Sequence, residues 1–213
     1  MNSRVILFLF LPLMSLSGCT CLPGSRQYQP LDWEEPLLRG ANKAILPSDV
    51  RKHPDLYVGQ PIHWAGIVDT FTVSVQHDTV TFDLLLDQKF YDYIEDFGAQ
   101  REKIFLSPYG EGLYHLRRTH VGASADTLRR ALSVLAARGN LVFSYGMFRG
   151  LQDSLPVLTS TGARFIHRQF YSTEIFSYGV VRDSLGKVVL DSHGYPELSD
   201  YAIHKLPGEG DGK

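Results

Sequence analysis

The chain has 213 residues, 44% of them hydrophobic, with 21 Lys and Arg against 23 Asp and Glu and only two cysteines. At roughly 100 to 200 residues per domain, that length and hydrophobic content support one domain with a sizeable core. The formal net charge of −2 argues against a nucleic acid among its partners, because such affinity comes largely from neutralising phosphates with Lys and Arg.

Residues 1–18 open with Arg4, continue through the apolar run Val5 to Met14 and end on small residues, which is the organisation of an export signal. The run is too short to span a bilayer, which needs roughly 20 apolar residues. Its end, Leu16-Ser17-Gly18-Cys19, resembles the lipobox of bacterial lipoproteins. The resemblance implies that the Cys19 thiol carries a diacylglyceryl group, that the signal 1–18 is removed, and that Cys19 becomes the first residue of the mature chain. The membrane partner is then reached through an anchor rather than a span. Each buried methylene contributes about 0.8 kcal/mol, and two acyl chains hold where one does not. In such lipoproteins an Asp after the cysteine favours inner-membrane retention, so Thr20 implies the periplasmic face of a Gram-negative outer membrane. Losing the signal removes Arg4 alone, leaving a mature net charge of −3. With Cys19 lipidated, Cys21 is the only thiol left, and neither an intramolecular disulfide nor a cysteine-built metal site can form. A Cys19–Cys21 bridge is the alternative, although so tight a loop suits a disulfide poorly.

Residues 19–44 are punctuated by Pro23, Gly24, Pro30, Pro36 and Gly40 and predict an extended tether. Trp33, Leu37 and Leu38 are its residues suited to docking back on the body. The folded domain is expected over 45–170. Ser48 is placed to cap one or two helical turns that Pro54 stops. Residues 59–75 are rich in β-branched and aromatic side chains and predict a long strand, bent or bulged at Gly66. A turn at 76–78 leads into an antiparallel strand over 79–86.

Over 87–98 the period changes. Phe90, Tyr93, Ile94 and Phe97 fall on one helical face with Asp92, Glu95 and Asp96 opposite, which predicts an amphipathic helix stopped by Gly98. Short strands at 103–106 and 113–118 flank a turn-rich loop at 107–112. Ser124 caps a helix over 125–138, with Leu128, Ala131, Leu132 and Leu135 on its apolar stripe. A strand at 141–148 and a turn at 149–154 come next. A last strand covers 155–159 and 163–170, broken near Gly162.

Three strands, a helix and two strands is the order of the OB-fold. The expected class is therefore mainly β with α (α+β). It is an OB-like small Greek-key barrel (β-β-β-α-β-β) with an inserted amphipathic helix and a C-terminal β-hairpin. That hairpin lies in an extension over 171–205, alternating over 174–190 around residues 182–187. Residues 206–213 have nothing to bury and form a disordered tail.

Gly59, Trp64, Gly66, Ile67 and Val68, following a lipobox and a spacer, are similar to a strand of the Slp-type outer-membrane lipoproteins. The likeness covers about ten residues plus the N-terminus. It implies an OB-like lipoprotein of the outer membrane without a recorded catalytic site.

Candidate chemistry is sparse. Asp92, Glu95 and Asp96, with Asp87 before them, can be read as metal ligands or an acid/base pair, which would make a metal-assisted hydrolase. They also form the wet face of the expected helix, which needs no special chemistry. The eight histidines contain no His-x-x-x-His, and His115 and His120 fall on opposite sides of a regular strand. The 107–112 loop lacks the Lys-Ser/Thr end of a phosphate loop, and no Gly-x-Ser-x-Gly elbow occurs. No enzyme, cofactor or metal is expected. The better candidate is a surface, since OB barrels bind elongated ligands across strands two and three. Tyr114, Arg117, Phe143, Tyr145 and Arg149 are the candidate binding residues. The alternative for Phe143 and Tyr145 is the core, because so small a barrel needs large side chains to fill it. The expected function is a lipid-anchored, non-enzymatic binding or structural module with an envelope protein partner. An oligosaccharide- or peptide-binding OB protein is the alternative. The 87–98 helix is expected to lie across strands two and three and plug the groove.

Overall fold

The computed structural model describes residues 30–96, 101–172, 176–177, 181–190 and 202–203. The export signal, Cys19 and the 206–213 tail lie outside them.

In chain order the elements are α1 (Glu35–Gly40), α2 (Pro47–Lys52), β1 (Pro61–Gln76), β2 (Thr79–Lys89), β3 (Tyr91–Asp96), β4 (Arg101–Leu106) and β5 (Gly112–Val121). Then come α3 (Ala125–Leu135), β6 (Leu141–Gln152), β7 (Leu155–Ile166), and the short β8 (Tyr171–Ser172), β9 (Phe176–Ser177) and β10 (Ala202–Ile203). Five strands close a barrel in the order β1-β2-β5-β7-β6. All its pairings are antiparallel except β5 with β7. The expected three strands, helix and two strands are these five strands and α3.

Strand alternation sorts the side chains. Phe82, Leu84 and Leu86 of β2, Tyr114 and Leu116 of β5, and Ile62, Trp64 and Val68 of β1 fill the barrel with Val142, Phe148 and Leu158. Ile45 and Val50 join this cluster from the α2 region, and Leu132 and Ala136 from α3. The β1–β2 turn is His77-Asp78, with His77 in the left-handed region at φ 55°, as two-residue hairpin loops require. Pairing runs regularly through Gly66, and the bulge falls at Asp69 instead. Gly66 answers a different constraint: a Cβ there would lie 2.9 Å from the Tyr114 ring. On β7 the irregularity near Gly162 is an extra residue, Thr161, in one continuous strand.

The helices are shorter than their sequence patterns. Ser124 caps α3 by accepting from the Thr127 amide at 3.4 Å, but the helix ends at Leu135, with Leu135 half-exposed. In α2 the cap is made by Asp49, whose Oδ2 accepts from the Leu46 amide at 3.1 Å. Ser48 lies inside the helix rather than before it.

Three expectations need correction. The amphipathic helix over 87–98 does not form: β2 continues to Lys89 and β3 follows, paired antiparallel with β4. Phe90 extends the buried even-numbered series of β2 rather than opening a helical stripe. The Tyr, Ile and Phe content also favours strand. Second, the tether is shorter than 19–44. Residues 31–40 pack on the barrel, with Leu38 and Glu34 buried. Third, the C-terminal extension keeps its turn, closed by an Arg182–Val188 bridge and by Asp183 accepting from the Leu185 and Lys187 amides at 2.9 Å. The hairpin is short, with the Val189 amide donating to the Val181 carbonyl at 3.0 Å, and the flanking strands pair elsewhere. β8 adds in parallel to β4, and β9 pairs with β10.

β3, β4 and β8 form a small sheet. A second cluster, outside the barrel, joins Leu38, Ala65, Ile104, Leu106, Leu141, Phe143, Tyr145 and Ile166. It belongs to the outer faces of β1, β6 and β7. The side chains of β6 therefore serve two cores in alternation.

Candidate functional site

The five expected binding residues are not brought together. Tyr114 is fully buried inside the barrel, edge-on to Trp64 at 4.9 Å between ring centres. Its hydroxyl lies 2.9 Å from Ser144 Oγ, and burial raises its pKa above the ordinary tyrosine value. Phe143 and Tyr145 are buried too, beneath the added layer on the outside of β6. Arg149 is exposed on β6 beside Gly150, whose φ is +121°. Only Arg117 lies outward on β5.

Arg117 belongs to a polar cluster that strand register assembles. Asp83 pairs with Arg117, and Leu85 with His115, across β2 and β5. Asp83 Oδ2 accepts from Arg117 Nε at 3.0 Å and also from Nη2. Its Oδ1 lies 2.8 Å from His115 Nδ1. Arg117 Nη2 further donates to Gln152 Oε1 at 2.8 Å, tying the end of β6 to the face. The side chains of Asp83 and Arg117 are 16% and 33% exposed. Beyond them on the same side of β2, Asp87 pairs with Lys89 at 2.8 Å. Two carboxylates thus meet two cations, and the face carries no net charge from these four residues. Asp83 and Gln152 were not singled out from sequence, and His115 was considered only with His120 as a metal pair. The available signal was the odd-numbered, outward set on two adjacent strands, Asp83 and Asp87 facing His115 and Arg117.

The second cluster holds the other polar group of note. His63 on β1 is buried between layers, stacked on Tyr145 at 4.7 Å. Burial lowers its pKa to about 3, so it is neutral near pH 7. Its Nδ1 donates to the Ser144 carbonyl at 3.1 Å, and its Nε2 accepts from the Tyr91 hydroxyl at 2.9 Å. Both ring nitrogens are thereby satisfied.

Glu34 closes this layer from the N-terminal side. Its Oε1 accepts from the Tyr145 hydroxyl at 3.1 Å, and its Oε2 from Arg164 Nη1 at 3.3 Å and the Leu31 amide at 2.8 Å. Gly162 lies beneath this approach: a Cβ there would come within 3.2 Å of the Trp33 ring and 2.6 Å of Leu37 Cδ1.

The expected plug of the groove is also corrected. Ile104, Leu106 and Tyr91 of the insert pack with Phe143, Tyr145 and Ala65, which places the insert against β1 and β6. Among the described residues, the outer face of β2 and β5 keeps its half-exposed cluster. The helical spacing that gathers Asp92, Glu95 and Asp96 does not hold along a strand. Among the described residues no group of three His, Cys, Asp or Glu is placed to hold a metal ion.

No family model matches the chain, and no curated protein matches it. Two solved structures of the protein PriB from Ralstonia solanacearum are similar to it, each at 13% identity. One covers 49% of this chain and 96% of its own, with a TM-score of 0.29. The other covers 50% and 97%, with a TM-score of 0.31.

Proposed function

We propose that the chain is a lipid-anchored lipoprotein at the periplasmic face of a Gram-negative outer membrane, acting as a non-enzymatic binding or structural module of OB type. The observation that carries it is Leu16-Ser17-Gly18-Cys19 directly after a basic start and a short apolar run. The ring order with one parallel pairing supports the OB reading, in which β2 and β5 are the second and third barrel strands. On their outer face Arg117 is engaged by Asp83 and Gln152, so its charge is not open to a phosphate. That favours a neutral polar chain, such as a peptide segment of an envelope protein, over a nucleic acid.

Replacing Cys19 with Ala is expected to abolish lipid labelling and to leave unprocessed precursor. Intact mass spectrometry checks this: wild-type protein carries the acyl mass on Cys19. An unmodified mature N-terminus elsewhere in the chain overturns the reading.

A further inference from the structure

We infer that the N-terminal corner of the domain, Leu31 and Trp33 beside α1, is the surface that rests on the membrane. The inference rests on the lipoprotein reading of Cys19 and adds the orientation of the domain.

The first observation is a large apolar side chain left in water beside a buried one. Trp33 is 46% exposed and Leu31 is 44% exposed, while Leu38, a few residues on, is 6% exposed. Trp33 does not wave freely. Its ring lies edge-on to Tyr145 at 6.3 Å and close over Gly162. Neighbouring Glu34 is held by Tyr145, Arg164 and the Leu31 amide. A half-buried Trp fixed at the surface, with an apolar body and one N–H, suits the boundary between lipid and water.

The second observation is the length of chain between this corner and the anchor. Ten residues lie between Cys19 and Pro30, which makes eleven Cα–Cα steps. Fully extended they reach at most roughly 40 Å, and a flexible coil of that length averages only about 20 Å between its ends. The corner where that chain enters the domain is therefore held beside the bilayer, and Leu31 and Trp33 lie at that corner. A lipid surface is the occupant that the anchor itself supplies.

Barrel topology fixes where the corner sits. Trp33 and Glu34 lie on β6 and β7, through Tyr145, Gly162 and Arg164.

The test uses tryptophan emission from the full chain, acylated in cells, purified and reconstituted into vesicles of brominated phosphatidylcholine. The chain has two tryptophans, and Trp64 is buried inside the barrel. Relative to unbrominated vesicles, wild type is expected to lose the Trp33 share of its emission, and Trp33→Phe to lose none. Protein that is acylated and floats with the vesicles, yet shows no Trp33 quenching, overturns the orientation and leaves the lipoprotein reading standing. Protein that carries no acyl chain and stays in the aqueous fraction overturns the lipoprotein reading and this inference with it.

Discussion

His63 shows how one buried side chain couples the added layer to solution pH. Burial lowers its folded pKa to about 3 from an ordinary 6.5, so the unfolded chain binds the extra proton between those values. Stability from a neutral buried His63 is therefore complete above about pH 6.5 and is lost as pH falls toward about 3. The slope reaches at most ~1.4 kcal/mol per pH unit. His63→Gln keeps a neutral polar group but has no such proton. It is expected to be less stable than wild type at pH 7, because the stacking on Tyr145 and one ring hydrogen bond are lost. The gap should shrink steadily between pH 6.5 and 4. Urea unfolding of both proteins across that range checks it, and a gap that does not change with pH contradicts the account. Nothing in the sequence around His63 distinguishes it from the other histidines. Its environment comes from Ser144 and Tyr91, 81 and 28 residues away.

At the scale of elements, the barrel strands and α3 were legible because their signals are local. β2 alternates buried and half-exposed residues from Thr79 to Lys89, and α3 carries its own cap and apolar stripe. The stretch after β2 was misread because two periods coincide there. Phe90, Tyr93, Ile94 and Phe97 fit a helix, while Phe90 also completes the alternation of β2. The strand wins because β4 is available to pair with β3 from Tyr91↔Leu106 to Asp96↔Arg101, and one sequence does not announce its partner. The candidate site follows the same logic. Arg117 was recognised from its strand, but Tyr114, three residues earlier, necessarily points to the other side. Asp83 entered only through the β2–β5 register. That pairing makes its own prediction: a double-mutant cycle on Asp83→Ala and Arg117→Ala should give a coupling of about 0.5–1 kcal/mol in chemical denaturation. It should weaken as salt is added, since the pair is half-exposed. Additive single effects would mean that the bidentate contact does not persist in solution.

On the whole molecule, two cores share the five barrel strands, and the outer one is made by segments far apart in the chain. Leu38 and Glu34 come from its beginning, Ile104 and Leu106 from the insert, and Tyr171 from beyond the barrel. No local pattern predicts such assembly, which is why the reading from sequence began the domain at Ile45. The structure begins it at Leu31, and the difference is measurable. A chain starting at Ile45 loses the buried Leu38, which contributes about 1.5–3 kcal/mol. It also uncovers Tyr145 and leaves Arg164 without Glu34, a partner that is itself fully buried. Removing one side of a buried ion pair is costly because the other charge stays behind, although Arg164, at the edge of the layer, regains water and softens that cost. For a domain of this size each kcal/mol moves the melting temperature by about 2–4 °C. The chain starting at Ile45 is therefore expected to melt roughly 5–10 °C below one starting at Pro30, and the Pro30 chain to melt with the mature protein. Equal melting temperatures for the two shortened chains would restore residues 30–44 to the tether. They would also remove the fixed corner on which the membrane orientation of the domain depends.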